Sequence, residues 1–232
     1  MNVLPRAAFC RSAICLLVCG WFAACSGGLR SGEPQIVAYV LRAPPPDLRV
    51  PPGTEPLARP ASLRKSLDAS VMVLAPVVAP GLASDGIALI TADSRLDHYA
   101  GSRWADELPR VVSALAVHTL RGSPALGTVS DSAAPFASDY VLRIDITNFE
   151  ARYAGTRADA GEAPNVRVRL ECAIARRNDH VVVASFIAEA NEAATENRLG
   201  AVIATFDRAA QSALTQLRRQ TLEVLATQAV TP

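Results

Sequence analysis

The sequence predicts an α+β fold, a largely antiparallel sheet with two helices packed on one face. Three observations carry this. Tyr140-Leu142-Ile144-Ile146 and Val166-Val168-Leu170-Cys172-Ile174 mark two segments in which apolar and polar residues alternate, the period of a strand with one wet face. Two other segments, 108–120 and 199–221, repeat apolar residues at helical spacing. With 50% hydrophobic residues over 232 positions, the chain can bury a real core in one domain plus a tail.

At the N-terminus, Arg6 and Arg11 lead into the apolar run from Ser12 to Phe22, which Ala23-Ala24 closes. A basic region, a short apolar stretch and small residues at its exit form a secretory signal. The run is well short of the ~20 residues a spanning helix needs. Phe22-Ala23-Ala24-Cys25 resembles the bacterial lipobox, in which a peptidase cuts before the Cys and its thiol is acylated. Phe22 stands where Leu is usual, and Cys19 competes poorly because Val18 is too large for that cleavage pocket. An ordinary signal peptide that contains a Cys is the alternative. The lipobox reading implies a signal peptide over 1–24 and a mature chain that begins at a lipidated Cys25.

Residues 25–34 are small and polar, the composition of a flexible tether. The domain is expected over 35–228, opening with a strand from Gln35 to Leu41. Prolines crowd 43–68 and predict an extended, semi-rigid connection. Ala69–Ala75 is short, apolar and β-branched, and Pro76 and Pro80 are expected to end it. Gly86–Thr91 predicts a third strand. Leu108, Val111, Val112, Leu115, Thr119 and Leu120 then define the first helix, with Asp106 as its expected N-cap and Pro109 in its first turn. Gly122 and Pro124 stop it. Phe149 falls out of phase with Tyr140–Ile146 and predicts a bulge. Asn178-Asp179 turns the chain into Val181–Ile187, apolar on both faces and therefore expected in the sheet interior. Leu199 to Thr221 carries the stripe of a helix of ~30 residues, about 45 Å long, with Asp207, Arg208, Gln211, Thr215, Arg218 and Arg219 on its other side. The expected order is three strands, a helix, three strands and a helix.

Composition excludes some functions. The net charge is +1 with both signs mixed along the chain, which argues against a nucleic-acid partner. Cys10, Cys15 and Cys19 leave with the signal and Cys25 is acylated, so Cys172 is the one thiol left and no internal disulfide forms. Its place in the apolar phase predicts a small buried hydrophobe. His98, His118 and His180 are too dispersed for a close-spaced metal site. No nucleophile elbow, phosphate loop, dinucleotide fingerprint or CxxC is present in the mature chain. Asp145 and Glu150 are expected as solvated charges on the wet face. No catalytic residue, metal or cofactor is expected.

The segment from Asp97 to Pro109 gathers aromatics, Arg and Gly in what reads as the loop entering the first helix. Trp and Arg dominate binding hot spots. Two readings stay open: a partner surface, or Trp104 capping the core with Arg103 paired to Asp106.

These same residues carry a family resemblance. Tyr39-Val40-Leu41 with Pro44, Val73-Leu74-Ala75-Pro76 through Pro80-Gly81-Leu82, and Tyr99 through Arg103-Trp104-Ala105-Asp106 to Leu108-Pro109 occur in order. Asp139-Tyr140-Val141-Leu142 ending at Phe149-Glu150, and Ala201 to Ala209, complete the set. Together they resemble the ABC-type transport auxiliary lipoproteins, the paraquat-inducible protein C-like family encoded with MCE-domain lipid transporters. The departures are the proline-rich insert and Glu107 after Asp106.

The resemblance implies a non-catalytic envelope lipoprotein. Its partners would be an MCE-domain protein and an ABC permease and ATPase, with a lipid ligand and homo-oligomerisation left open. The candidate contact residues are Tyr39, Tyr99, Arg103, Trp104 and Asp106. Ser26 after the acylated Cys is an outer-membrane sorting signal. The tether reaches at most ~35 Å from a body about 40 Å wide, so the domain stays near its bilayer and docks the end of a conduit. Two alternatives stay open: an assembly or stability lipoprotein of a secretion or cell-wall complex, and a hydrolase whose site no motif marks.

Overall fold

The computed structural model describes residues 36–46, 67, 69–133, 136–158 and 161–229; the expected signal peptide, Cys25, the expected tether and most of the proline-rich connection lie outside them. The strands are β1 (Val37–Tyr39), β2 (Val71–Val73), β3 (Val77–Val78), β4 (Gly86–Ile90), β5 (Leu96–Trp104), β6 (Val129–Asp131), β7 (Tyr140–Arg152), β8 (Asn165–Arg176) and β9 (Val182–Ala193). The helices are α1 (Leu108–Arg121) and α2 (Leu199–Gln228).

One mixed sheet results, and its long pairings are antiparallel: β7 with β8, β8 with β9, and β4 with β5. Along the other side of β7 run β2, β3 and β4, each parallel to it and each short. β6 flanks β2, and β1 lies parallel to β5 at the sheet edge. The α+β class is as the two periodicities predict.

The segmentation of β2 and β3 has a local cause. Val71 pairs with Tyr140 but Val77 pairs with Asp145, so the β2–β3 side carries one extra residue, and Pro76 lies inside that bulge. Proline has no N–H to give a ladder, so the pairing stops and restarts rather than ending. On β7 the register shifts between Ile146 and Asn148, as the phase break at Phe149 predicts. Leu142, Ile144 and Ile146 before the shift and Phe149 and Ala151 after it all point into the core.

Glu150 departs from its expected solvated place. It is 1% exposed, and its carboxylate accepts from the Phe149 N–H at 2.6 Å, Asn148 Nδ2 at 3.0 Å and Arg152 Nε at 2.8 Å. The bulge frees a backbone donor, and Glu150 takes it up.

Residues 97–105 are not a loop. Most of them form β5, held by β4 on one side and β1 on the other. Gly86 permits this, because a Cβ there would collide with the His98 ring crossing it. Gly101, at φ 65°, turns the strand where a side chain would be strained.

The N-cap of α1 is Glu107, not Asp106, and no side chain caps the helix. The first amide, Leu108 N–H, donates to the Ser84 carbonyl at 3.0 Å, and Asp106 accepts from Glu107 N–H at 2.8 Å. Pro109 sits in the first turn, where its missing donor costs nothing.

Val181–Ile187 does not lie in the sheet interior. β9 pairs with β8 alone and is an edge. Midway along it, α2 takes up outward backbone groups: Gln216 Nε2 donates to the Glu189 carbonyl at 2.7 Å, Glu189 N–H donates back to Gln216 Oε1 at 3.4 Å, and Gln220 Nε2 donates to Ile187 O at 3.0 Å. These contacts blunt the middle of the edge against pairing with another chain. Ala184, Ala188 and Ala190 on the inner side of β9 leave room for the helix to approach.

Both helices cover one face of the sheet. Trp104 of β5, Phe149 of β7 and Phe206 of α2 meet at centroid distances of 6.0, 5.3 and 5.5 Å, two edge-to-face contacts and one stack. All three rings are 2% exposed or less. Phe206→Ala should therefore lower unfolding free energy by about 3–5 kcal/mol, read as an earlier midpoint in chemical denaturation with the far-UV signal of the native state kept.

Candidate functional site

The residues singled out by sequence converge on one region, where β1, β5 and the start of α1 meet. Tyr39 pairs in register with Trp104, and its carbonyl accepts from the Ala105 N–H at 2.9 Å. Strand alternation then divides the Arg103-Trp104 pair. Trp104 points inward and is 1% exposed, whereas Arg103 points out.

Arg103 does not pair with Asp106. Its Nη1 lies 3.3 Å from Asp85, whose carbonyl also accepts the Trp104 N–H at 2.7 Å. Asp106 instead faces Arg110 at 3.5 Å, with Glu107 3.7 Å from the same guanidinium. All five charged side chains are exposed, so the pairs contribute little to stability and leave their charge available.

Tyr99 lies half-buried, its hydroxyl 2.8 Å from that of Tyr153. Tyr153 donates to Asn197 Oδ1 at 2.9 Å, and Asn197 Nδ2 donates to the Ala158 carbonyl at 2.8 Å. This relay ties β5, the end of β7 and the approach to α2. Burial, reinforced by the facing hydroxyl, pushes the Tyr99 phenol well above its ordinary range, and burial also raises Tyr153. Neither ionises near neutral pH.

The structure adds two charged residues that the sequence placed on the far side of the last helix. Asp207 and Arg218 are buried. Asp207 accepts from the Arg42 backbone N–H at 2.8 Å, from Arg42 Nε at 2.9 Å and from Arg42 Nη2 at 2.6 Å, with Gln211 Nε2 at 3.0 Å. Arg218 Nη1 donates to the Pro45 carbonyl at 3.1 Å. The chain leaving β1 thus straps across α2 and covers these polar groups. The strap joins residues 165 positions apart, which no local pattern reveals.

Cys172 is buried, as its phase predicts, and burial pushes its thiol up to about 12, helped by Asp145 and Glu171. Among the described residues no group of His, Cys, Asp and Glu could hold a metal ion, and no helix is long and apolar enough to cross a membrane. His118 is exposed and His180 sits in a turn at φ 59°. Beneath α1 and α2 the core leaves a void of about 10 Å³, lined by Val112, Leu115, Phe149 and Leu214 among others. An open cleft of about 380 Å³ lies at the β7–β8 end, between Asp139, Arg176 and Arg177. Asp139 there is held below the usual carboxylate range by the hydroxyl and N–H of Ser70.

The geometry defines an α+β body with its helices on one sheet face, an ion-paired surface around β5 and a strapped N-terminal edge. The chain belongs to the ABC-type transport auxiliary lipoprotein component family, whose model matches residues 53–218. Among solved structures it is similar to a Xanthomonas campestris protein of the DUF330 family. That match has 23% identity and a TM-score of 0.67, and covers 84% of this chain and 98% of that one. An uncharacterized protein matches at 16% identity and TM-score 0.53 over 66% of this chain and 92% of its own. At these identities the likeness shows the fold. No curated protein matches the chain.

Asp207→Ala leaves the Arg42 N–H without its acceptor and should cost about 1–3 kcal/mol, seen as faster amide exchange at Arg42 and a lower melting temperature. Alkaline stability is governed in part by Cys172. The unfolded thiol loses its proton near 9 while the folded one keeps it to about 12. Stability therefore falls as pH rises through that window, by up to ~1.4 kcal/mol per pH unit. Cys172→Ala should flatten the fall between pH 9 and 10, before Tyr99 and Tyr153 add theirs, in denaturant titrations run across that range.

Proposed function

We propose that this chain is a lipid-anchored, non-catalytic subunit of an MCE-type ABC transport system that holds the outer-membrane end of the partner conduit. The observation that carries this is the family match over 53–218. ATP hydrolysis and membrane passage belong to other subunits. Acylation of Cys25 holds the protein to its bilayer with several acyl chains, a far firmer hold than one chain gives. Ser26 supports the outer membrane as the address.

Two structural features support a docking role over an internal carrier. The void beneath the helices, about 10 Å³, is far below the 300–1,000 Å³ of typical ligand sites, and the cleft of about 380 Å³ at the β7–β8 end is open and lined by charged and polar side chains. The exposed charges near β5 belong to the segment most characteristic of the family. Within that segment Arg103 and Asp106 reach solvent and are the proposed contacts. Tyr39 and Tyr99 are half-buried beside them, and Trp104 acts through its place in the core by fixing the strand that presents Arg103.

Three measurements test the reading. Cys25→Ala should move the protein from the membrane to the soluble periplasmic fraction. In-cell cross-linking of the wild type should recover an MCE-domain protein and its permease; recovery of secretion or cell-wall components alone would sink the proposal. Arg103→Glu should weaken partner capture at least tenfold while changing stability by no more than ~0.5 kcal/mol. Trp104→Ala should instead cost about 3–5 kcal/mol of stability.

A further inference from the structure

We propose that the outward row of Ile36, Ala38 and Val40, on β1 and the residues that flank it, seats on the lipid surface that holds the acyl chains of Cys25. The inference rests on the lipidation proposed above. Ile36 is 59% exposed, Val40 72% and the intervening Val37 49%, a concentration of bare apolar surface on one short edge strand. Tyr39 packs against the core and Leu41 is buried, so strand alternation turns Ile36, Ala38 and Val40 to the sheet face opposite the helices.

Covalent geometry identifies the occupant. Ile36 follows Cys25 by eleven residues in the sequence, and a chain of that length spans at most ~40 Å when fully extended. No other exposed apolar residue of the described body is held so near the anchor along the chain: Val77, Phe136 and Val181 come far later. The local chemistry agrees. Residues 36–46 contain no acidic side chain, and their one charge, Arg42, is held by Asp207 of α2. A second copy of the chain is a poor occupant, because three short side chains offer far less than the ~1,200 Å² of a stable interface.

The seat is shallow. A strand edge with open backbone groups is costly in hydrocarbon, whereas headgroups and their water satisfy those groups at the boundary. Ala38 pairs in register with Arg103, so the seat borders the proposed contact and a partner held at Arg103 would lie at the lipid surface.

The test uses the full acylated chain reconstituted in phosphatidylethanolamine–phosphatidylglycerol vesicles that carry headgroup-level nitroxide lipid. A single fluorescent label is placed by Val40→Cys or, as control, by Arg219→Cys on the exposed side of α2; buried Cys172 stays unlabelled. The label at 40 should be quenched at least threefold more than that at 219, and Ile36→Asp in the Val40→Cys background should remove the difference. Equal quenching at both positions on vesicles that float with the protein would overturn the seat while leaving the anchor intact. Protein that fails to float would overturn the anchor and the seat together. A concentration-dependent change at position 40 without lipid quenching would assign the row to a second copy and overturn the proposal.

Discussion

The contact of three rings, Trp104, Phe149 and Phe206, is what the rest of the body depends on. Each ring comes from a different element and each is essentially shut off from solvent. Trp104 fixes β5, which no strong periodicity of its own would fix. Phe149 fixes the phase of β7 after its bulge, and Phe206 sets where α2 crosses the sheet. Burial of large aromatic surface is non-directional, but the edge-to-face and stacked geometry restricts how the three elements meet. The family's Arg-Trp pair and its Phe-Glu strand end are therefore read first as parts of one packing problem.

Much of this was legible from sequence. β7, β8 and the two helices carry their period over ten or more residues, and the structure places them where that period predicts. β5 escaped because Asp97, His98, Gly101 and Arg103 interrupt both faces, leaving Ser102 and Trp104 as the only buried side chains of the strand. Its strand form is imposed by β4 and β1, which are remote from its local pattern. β9 misled for the opposite reason. Its apolar residues on both faces suggested an interior strand, but it lies at an edge whose middle is covered by Gln216 and Gln220 of α2. Glu150 and Asp207 show a third cause. A carboxylate on a polar face looks solvated until a bulge or a distant arginine comes to cover it. At the candidate site, the sequence located the neighbourhood but not the division of labour within Arg103-Trp104, which follows from the pleat.

The face of the sheet away from the helices is a ladder of opposed charges. Arg143 faces Asp145, and Arg169 bridges Glu171 and Glu189 at 3.2 and 2.9 Å. Exposed pairs of this kind add little stability, yet they keep a wide open face from collapsing onto other apolar surface. Much of the apolar exposure lies at strand edges: α2 covers the middle of β9 but leaves Val182 and Ile187 exposed, and β1 shows its outer row.

The strap from β1 across α2 has a mechanical meaning. Any pull on the chain ahead of Ile36 enters the body through a strand of three residues and then through Arg42 and Asp207. Beyond that point the load passes into a 30-residue helix that spans the domain, not into one loop. Tension on the N-terminal segment would be spread along the longest rigid element of the molecule, so the ion-paired surface beside β5 can keep its shape while its leash is drawn tight.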